Sequence, residues 1–247
     1  MTKPVPAVLL HAFPLDSSMW APQIEVIAGH RQIFAPNLPG FGGAPLVEGG
    51  LESFADQVIL ECDAEGIERA VFIGLSMGGY VAMRIADRHL DRVAALVLAD
   101  TRAGADDNAG KEKRSAQAAR ARSEGCSWLA EAMIPALLGE TTRKTRPNLV
   151  AEVTSMIQRN KDEGVARALE AMRERPESLE LLASLDIPLL AIVGAEDKLT
   201  PPIESERIVE RSPRFELEVI PEAGHLSNLE RPEQFNDALI RFLGDQD

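Results

Sequence analysis

Short β-branched or apolar runs recur along the chain at 5–10, 32–35, 70–74, 93–99, 188–194 and 214–220, most without a single polar position. A strand with one wet face alternates, so continuous runs of this length point to strands covered on both sides. Between them lie segments whose apolar residues return every three or four positions, at 51–65, 77–89, 202–210 and 232–243. In the first, Phe54, Val58 and Cys62 form an i, i+4, i+8 stripe behind Ser53 as the expected cap. In the last, Pro232 suits a first helical turn, and Phe235, Leu239 and Phe242 share a face. Strands alternating with helices predict an α/β fold, a parallel sheet of about six strands with helices on both faces.

One interval breaks this rhythm. Between the run ending near Ala99 and the one beginning near Pro188 lie far more residues than one crossover needs. Rich in Ala, Arg, Glu and Leu, it predicts helices at 111–123, 127–138, 146–159 and 164–175, then a crossover helix at 177–184. The expected organisation is a core formed by 1–103 and 176–247, with 104–175 inserted as a helical cap. At 247 residues and 45% hydrophobic content, the chain can bury one sizeable core with such an insertion.

The net charge of -13 opposes contact with phosphate backbones and anionic membranes, and no dense Lys/Arg cluster reverses it locally. Nucleic acid is therefore not an expected partner. Cys62 and Cys126 stand in no metal-site spacing and are expected to be reduced thiols. Lys3, Pro4, Val5 and Pro6 lead straight into a short run ending at His11, with no long apolar leader, and no stretch reaches the roughly 20 apolar residues that span a bilayer. A cytoplasmic protein that uses neither membrane, metal nor cofactor is expected.

The sharpest chemical signal is Gly74, Leu75, Ser76, Met77, Gly78, Gly79, directly after an apolar run and directly before a helical one. A serine on a strained strand-to-helix turn needs small residues two before and two after it, because they approach each other closely. Gly74 and Gly78 meet that demand. The turn would aim the Met77 amide at a substrate and place Ser76 at a helix N-terminus, which favours developing negative charge. Three further segments end runs in the same manner: His11-Ala12-Phe13-Pro14, Gly194-Ala195-Glu196-Asp197, and Glu222-Ala223-Gly224-His225. Glu196, Asp197 and Asp100 are the candidate acids at the ends of these runs, and resemblance to a known family's acid loop favours Asp197. His225 is preferred as a base over His30 and His89, which read as surface residues, and over His11, which reads as a loop brace.

Together these segments resemble the α/β-hydrolase family, in its serine esterase and enol-lactone hydrolase branch. The resemblance covers nearly the whole chain, and the order Ser76, Asp197, His225 is the family's order. It implies Ser76 as nucleophile, His225 as base, Asp197 as orienting acid, and the amides of Phe13 and Met77 as oxyanion donors. Ala12 departs from the family's usual glycine. A further departure is the absence of an antiparallel hairpin before the first run, so an all-parallel sheet is expected. The family order also places the first strand between the second and third, so that a crevice opens at the reversal.

The implied activity is cleavage of a small-molecule carboxylic ester or lactone through an acyl-enzyme. An enol-lactone hydrolase, which the chain resembles in size, cap length and the His11 to Trp20 segment, is the nearest alternative. A perhydrolase or metal-free haloperoxidase shares the same triad, and a ligand-binding receptor would be expected to show a damaged one. Trp128, Met133, Leu137, Leu138, Met156 and Met172 are the expected pocket residues. An anionic lactone would further call for a basic cap residue, with Arg120, Arg122, Arg143 and Lys144 as candidates.

Overall fold

A computed structural model describes residues 3–211 and 214–246. Its sheet contains β1 (Ala7–Leu10), β2 (Ile33–Phe34), β3 (Ala70–Leu75), β4 (Val93–Ala99), β5 (Leu189–Gly194) and β6 (Phe215–Ile220). Their order is β2-β1-β3-β4-β5-β6, and every pairing is parallel. The four inner strands are those with continuous apolar runs, and they are buried along almost all of their length. The edge strand β6 is buried only at its ends, Phe215 and Ile220, with Glu216 and Val219 exposed and Leu217 and Glu218 half-buried between them. β2 is shorter than its run predicts, because Pro36 brings no N–H to a ladder.

The helices are α1 (Ala21–Ile27), α2 (Leu51–Ala64), α3 (Met77–Arg88), α4 (Asn108–Glu124), α5 (Leu129–Leu137), α6 (Glu140–Thr145), α7 (Pro147–Gln158), α8 (Asp162–Arg173), α9 (Leu179–Ser184), α10 (Pro202–Val209), α11 (Ser227–Glu230) and α12 (Pro232–Gly244). Ser53 does not cap α2. The helix begins two residues earlier, after Gly50 in extended conformation, which leaves Ser53 within its first turn. α3 is buried from Met77 to Ala86, as suits a helix pressed on the centre of the sheet. The unexpected α1, α6 and α11 are short segments, too brief for a 3.6-residue period to show.

α4 to α8 all lie between β4 and β5, as the long interval predicts. Their attachment to the sheet layer is specific. Asn160 donates from Nδ2 to Pro14 O at 2.8 Å, and Arg159 forms two bonds to Asp16 at 2.7 and 3.1 Å. Gly164 presses so closely on Gly40 that a Cβ at either position would strike the other's backbone. A second junction joins Gly139 to Gly224, and Glu230 holds both by accepting their N–H groups at 2.8 and 2.9 Å. Among the described residues, no helix is long and apolar enough to cross a membrane. Cys62 and Cys126 are buried free thiols.

Candidate active site

β1 lies between β2 and β3, so the winding direction reverses there and a crevice forms beyond the strands' C-terminal ends. Ser76 follows β3 at this point, with φ 54° and ψ -113°. That conformation is rare for a residue with a Cβ and costs of the order of 1–3 kcal/mol. Its surroundings enforce it. A Cβ on Gly74 would collide with the Gly78 carbonyl, and one on Gly78 with the Leu10 carbonyl, so the turn closes only with glycine at both positions. Ser76 N donates to Ala99 O at 2.9 Å, while Ser76 O accepts from Gly79 N, Tyr80 N and Thr101 Oγ1. As the first residue of α3, Met77 has no intrahelical acceptor for its N–H, which is free to face a ligand.

The loops after β5 and β6 bring the other two groups. Ala195 N bonds Ile220 O at 2.9 Å and Glu196 N bonds Ala223 O at 2.7 Å, so the two loops are held to each other. His225, 2% exposed, has Nε2 2.8 Å from Ser76 Oγ and Nδ1 2.8 Å from Asp197 Oδ2. Asp197 also accepts from Leu199 N, Thr200 N and Thr200 Oγ1 at 2.7–3.0 Å. Burial acts to raise its pKa, but His225 and the Thr200 donors outweigh it and hold the carboxyl below its ordinary range, ionised. An ionised acceptor at Nδ1 fixes the ring so that Nε2 faces the serine oxygen.

The competing acids have other occupations. Glu196 accepts from the backbone and hydroxyl of Thr141. Asp100 accepts Gly194 N at 2.8 Å through Oδ1, and Oδ2 takes the N–H and hydroxyl of Ser227. Burial and the nearby Asp197 charge push the Asp100 carboxyl well above its usual pKa. His11 is fully buried; its Nε2 accepts Leu38 N at 2.9 Å, so its Nδ1–H is directed to Ala12 O at 3.0 Å. With Phe41 stacked edge-on at 5.3 Å, it joins two loops and does not contact the serine.

A cavity of about 670 Å³ opens above Ser76 and His225. Phe13 borders it, with Met133 and Ala136 from α5, Leu169 and Met172 from α8, and Leu199 beyond β5. Thus Met133 and Met172 of the expected pocket residues reach it, and the others do not. Leu137 of α5, Leu138 just beyond it and Met156 of α7 are buried in the interior and do not border the cavity. Trp128 is tied to Gly125 O and stacked beneath the Arg120 guanidinium at 4.2 Å.

The expected basic residues also lie elsewhere. Arg120 and Arg122 pair with Glu124, Glu163 and Glu170, Lys144 pairs with Glu140, and Arg143 bonds Leu138 O. The cavity's cations are instead Arg102, Lys113, Arg114, Lys198 and Arg207. Arg102 sits in the loop after β4, outside the cap helices where a basic group was sought.

The model of the alpha/beta hydrolase fold family matches residues 5–232. The chain belongs to that family. It is 27% identical over 96% of its length to 3-oxoadipate enol-lactonase 1 of Acinetobacter baylyi, covering 88% of that protein. Among solved structures, a thermophilic esterase from Thermogutta terrifontis, determined with malate bound, superposes with a TM-score of 0.95 at 40% identity, over 98% of this chain and 90% of that one. The enol-lactonase from Burkholderia xenovorans LB400 gives 0.91 at 27% identity, over 98% and 92%. The chain is a hydrolase of the esterase and lactonase kind.

Proposed function

We propose that the chain cleaves a carboxylic ester or lactone with Ser76 as the nucleophile. The observation that carries this reading is the unbroken relay from Ser76 Oγ through both ring nitrogens of His225 to Asp197, at 2.8 Å in each link, on the floor of a cavity. His225 Nε2 takes the hydroxyl proton as Oγ attacks the carbonyl carbon. The amides of Phe13 and Met77 donate to the oxyanion of the tetrahedral intermediate. As this collapses, the carbon–oxygen bond to the leaving alcohol breaks and His225 returns the proton to that oxygen. Water then attacks the acyl-Ser76 carbonyl, His225 accepts its proton, and the acid departs as Ser76 recovers its own. Residues 104–175 form the cap, whose α5 and α8 supply the apolar roof.

Ser76→Ala tests the reading. Hydrolysis of a chromogenic short-chain ester should fall by roughly 10³-fold or more, with the folded state retained, because the Cβ and its strained backbone remain while the nucleophile is lost. Near-normal turnover in that variant would remove Ser76 from the mechanism.

A further inference from the structure

The cavity is two-sided. Its roof is apolar, whereas the side beneath the start of α4 gathers positive charge that the rest of the chain lacks. Three guanidiniums converge on one carboxylate there. Arg102 Nη2 and Arg175 Nη2 bond Asp106 Oδ1 at 2.7 and 2.8 Å, and Arg114 Nε bonds Oδ2 at 2.5 Å. Three positive charges against one negative leave a surplus beside a carboxylate that is itself buried.

Of the nearby acids only Asp106 forms an ion pair with the trio among the described residues, although Glu204 and the Tyr80 hydroxyl also act on Arg102. Asp107 caps α4 by accepting Gly110 N, Glu177 accepts the amides of Ala105, Ser178 and Leu179, and Glu204 pairs with Arg207. Arg175 is buried over the Tyr80 ring at 4.5 Å, and Arg114 is mostly covered. Arg102 is the member of the trio with the most exposed side chain, and it borders the same cavity as Ser76 and His225. Its buried Nε–H has no acceptor among the described residues. At the rim, Lys113 and Lys198 are exposed and form no ion pair among the described residues.

A chain carrying 39 acidic and 26 basic residues has nonetheless lined its reaction cavity with five cations and four carboxylates. Clustered charge in a low-dielectric cleft focuses the potential and draws in ligands of opposite sign, against the repulsion of the whole molecule. We infer that the ester or lactone carries a free carboxylate remote from the scissile bond, and that Arg102 receives it while the apolar chain between the two ends lies under α5 and α8. A planar guanidinium suits a carboxylate because it can offer two parallel donors. This substrate class rests on the serine-hydrolase reading above, and it makes the product of an acyl-side substrate a dicarboxylate.

The test compares the full-length enzyme on monoethyl esters of succinate, glutarate and adipate with the diethyl esters of the same acids. At least one monoester should exceed its diester in kcat/KM by roughly 10-fold or more, as a charge-assisted contact warrants, and high salt should shrink that ratio. The ratio should collapse towards unity in Arg102→Gln and survive in part in Arg102→Lys. Should Arg102→Gln fail to fold, the wild type still decides: glutarate or adipate should inhibit competitively well below the concentration at which butyrate does.

Diesters equal to or better than monoesters at every length would overturn the inference while leaving the hydrolase intact. So would a ratio indifferent to Arg102, or inhibition by butyrate as strong as by the diacids. Failure to cleave either series would overturn both this inference and the reading beneath it.

Discussion

Ser76 and His11 show how single residues are committed to one state by their surroundings. Ser76 is held at φ 54° by glycines that permit the close approach of β1, β3 and α3. His11 is held neutral. Burial lowers its pKa to about 4, against smaller opposing effects from the Ala12 carbonyl and Asp16. In the unfolded chain the ring regains its ordinary value near 6.5, so the unfolded state binds the proton first as pH falls. Stability from this group is therefore complete above about pH 6.5 and is lost progressively down to about pH 4. Between pH 7 and pH 5 the loss from His11 alone should be about 2 kcal/mol. Urea unfolding at the two pH values measures it. His11→Gln should be less stable at neutral pH but should lose correspondingly less on acidification, and an unchanged pH dependence would contradict the account.

At the scale of elements, Asp100 ties together the strand ends that carry the candidate acid and base. From φ 42° at the end of β4, one oxygen holds Gly194, where β5 gives way to the Asp197 loop, and the other holds Ser227, two residues beyond His225. Asp100→Ala would leave those buried donors unpaired and put a less tolerant residue at positive φ. It should cost about 2–3 kcal/mol in chemical denaturation and lower kcat for a simple ester by roughly 10-fold. Asp100→Asn, similar in shape and uncharged like a protonated carboxyl, should lose much less of both. Wild-type stability and turnover in Asp100→Ala would show that the two loops stand without it.

The inner strands and the longer helices were legible because burial on both faces, or a stripe on one, writes a period into the sequence. The segments around Ser76, Asp197 and His225 were legible as candidates for a related reason, since each follows a strand run within a few residues and small residues mark the turns, whereas their order and roles were implied by the family resemblance. The cavity wall was not. Leu137 and Met133 share one helix, and only the position of α5 over the sheet decides which of them meets the cavity. The cationic side is still less local, because positions 102, 114 and 175 acquire a common meaning only when the fold places them around Asp106.

Across the whole molecule, a parallel sheet positions the candidate triad, and helices between β4 and β5 line the cavity above it. Hydrogen bonds at Asp16, Gly139 and Pro14 fix the second to the first. The cover is joined near both the Phe13 loop and the His225 loop, so its position and the site's geometry are coupled. The most direct test of the central claim is covalent capture. The enzyme is treated with a serine-directed p-nitrophenyl phosphonate, release of p-nitrophenol is followed, and the adduct is located by peptide mass spectrometry. The account predicts a burst of one equivalent per chain, loss of esterase activity in step with it, and the adduct on Ser76. Complete labelling at another residue, or esterase activity that persists with Ser76 fully modified, would contradict it.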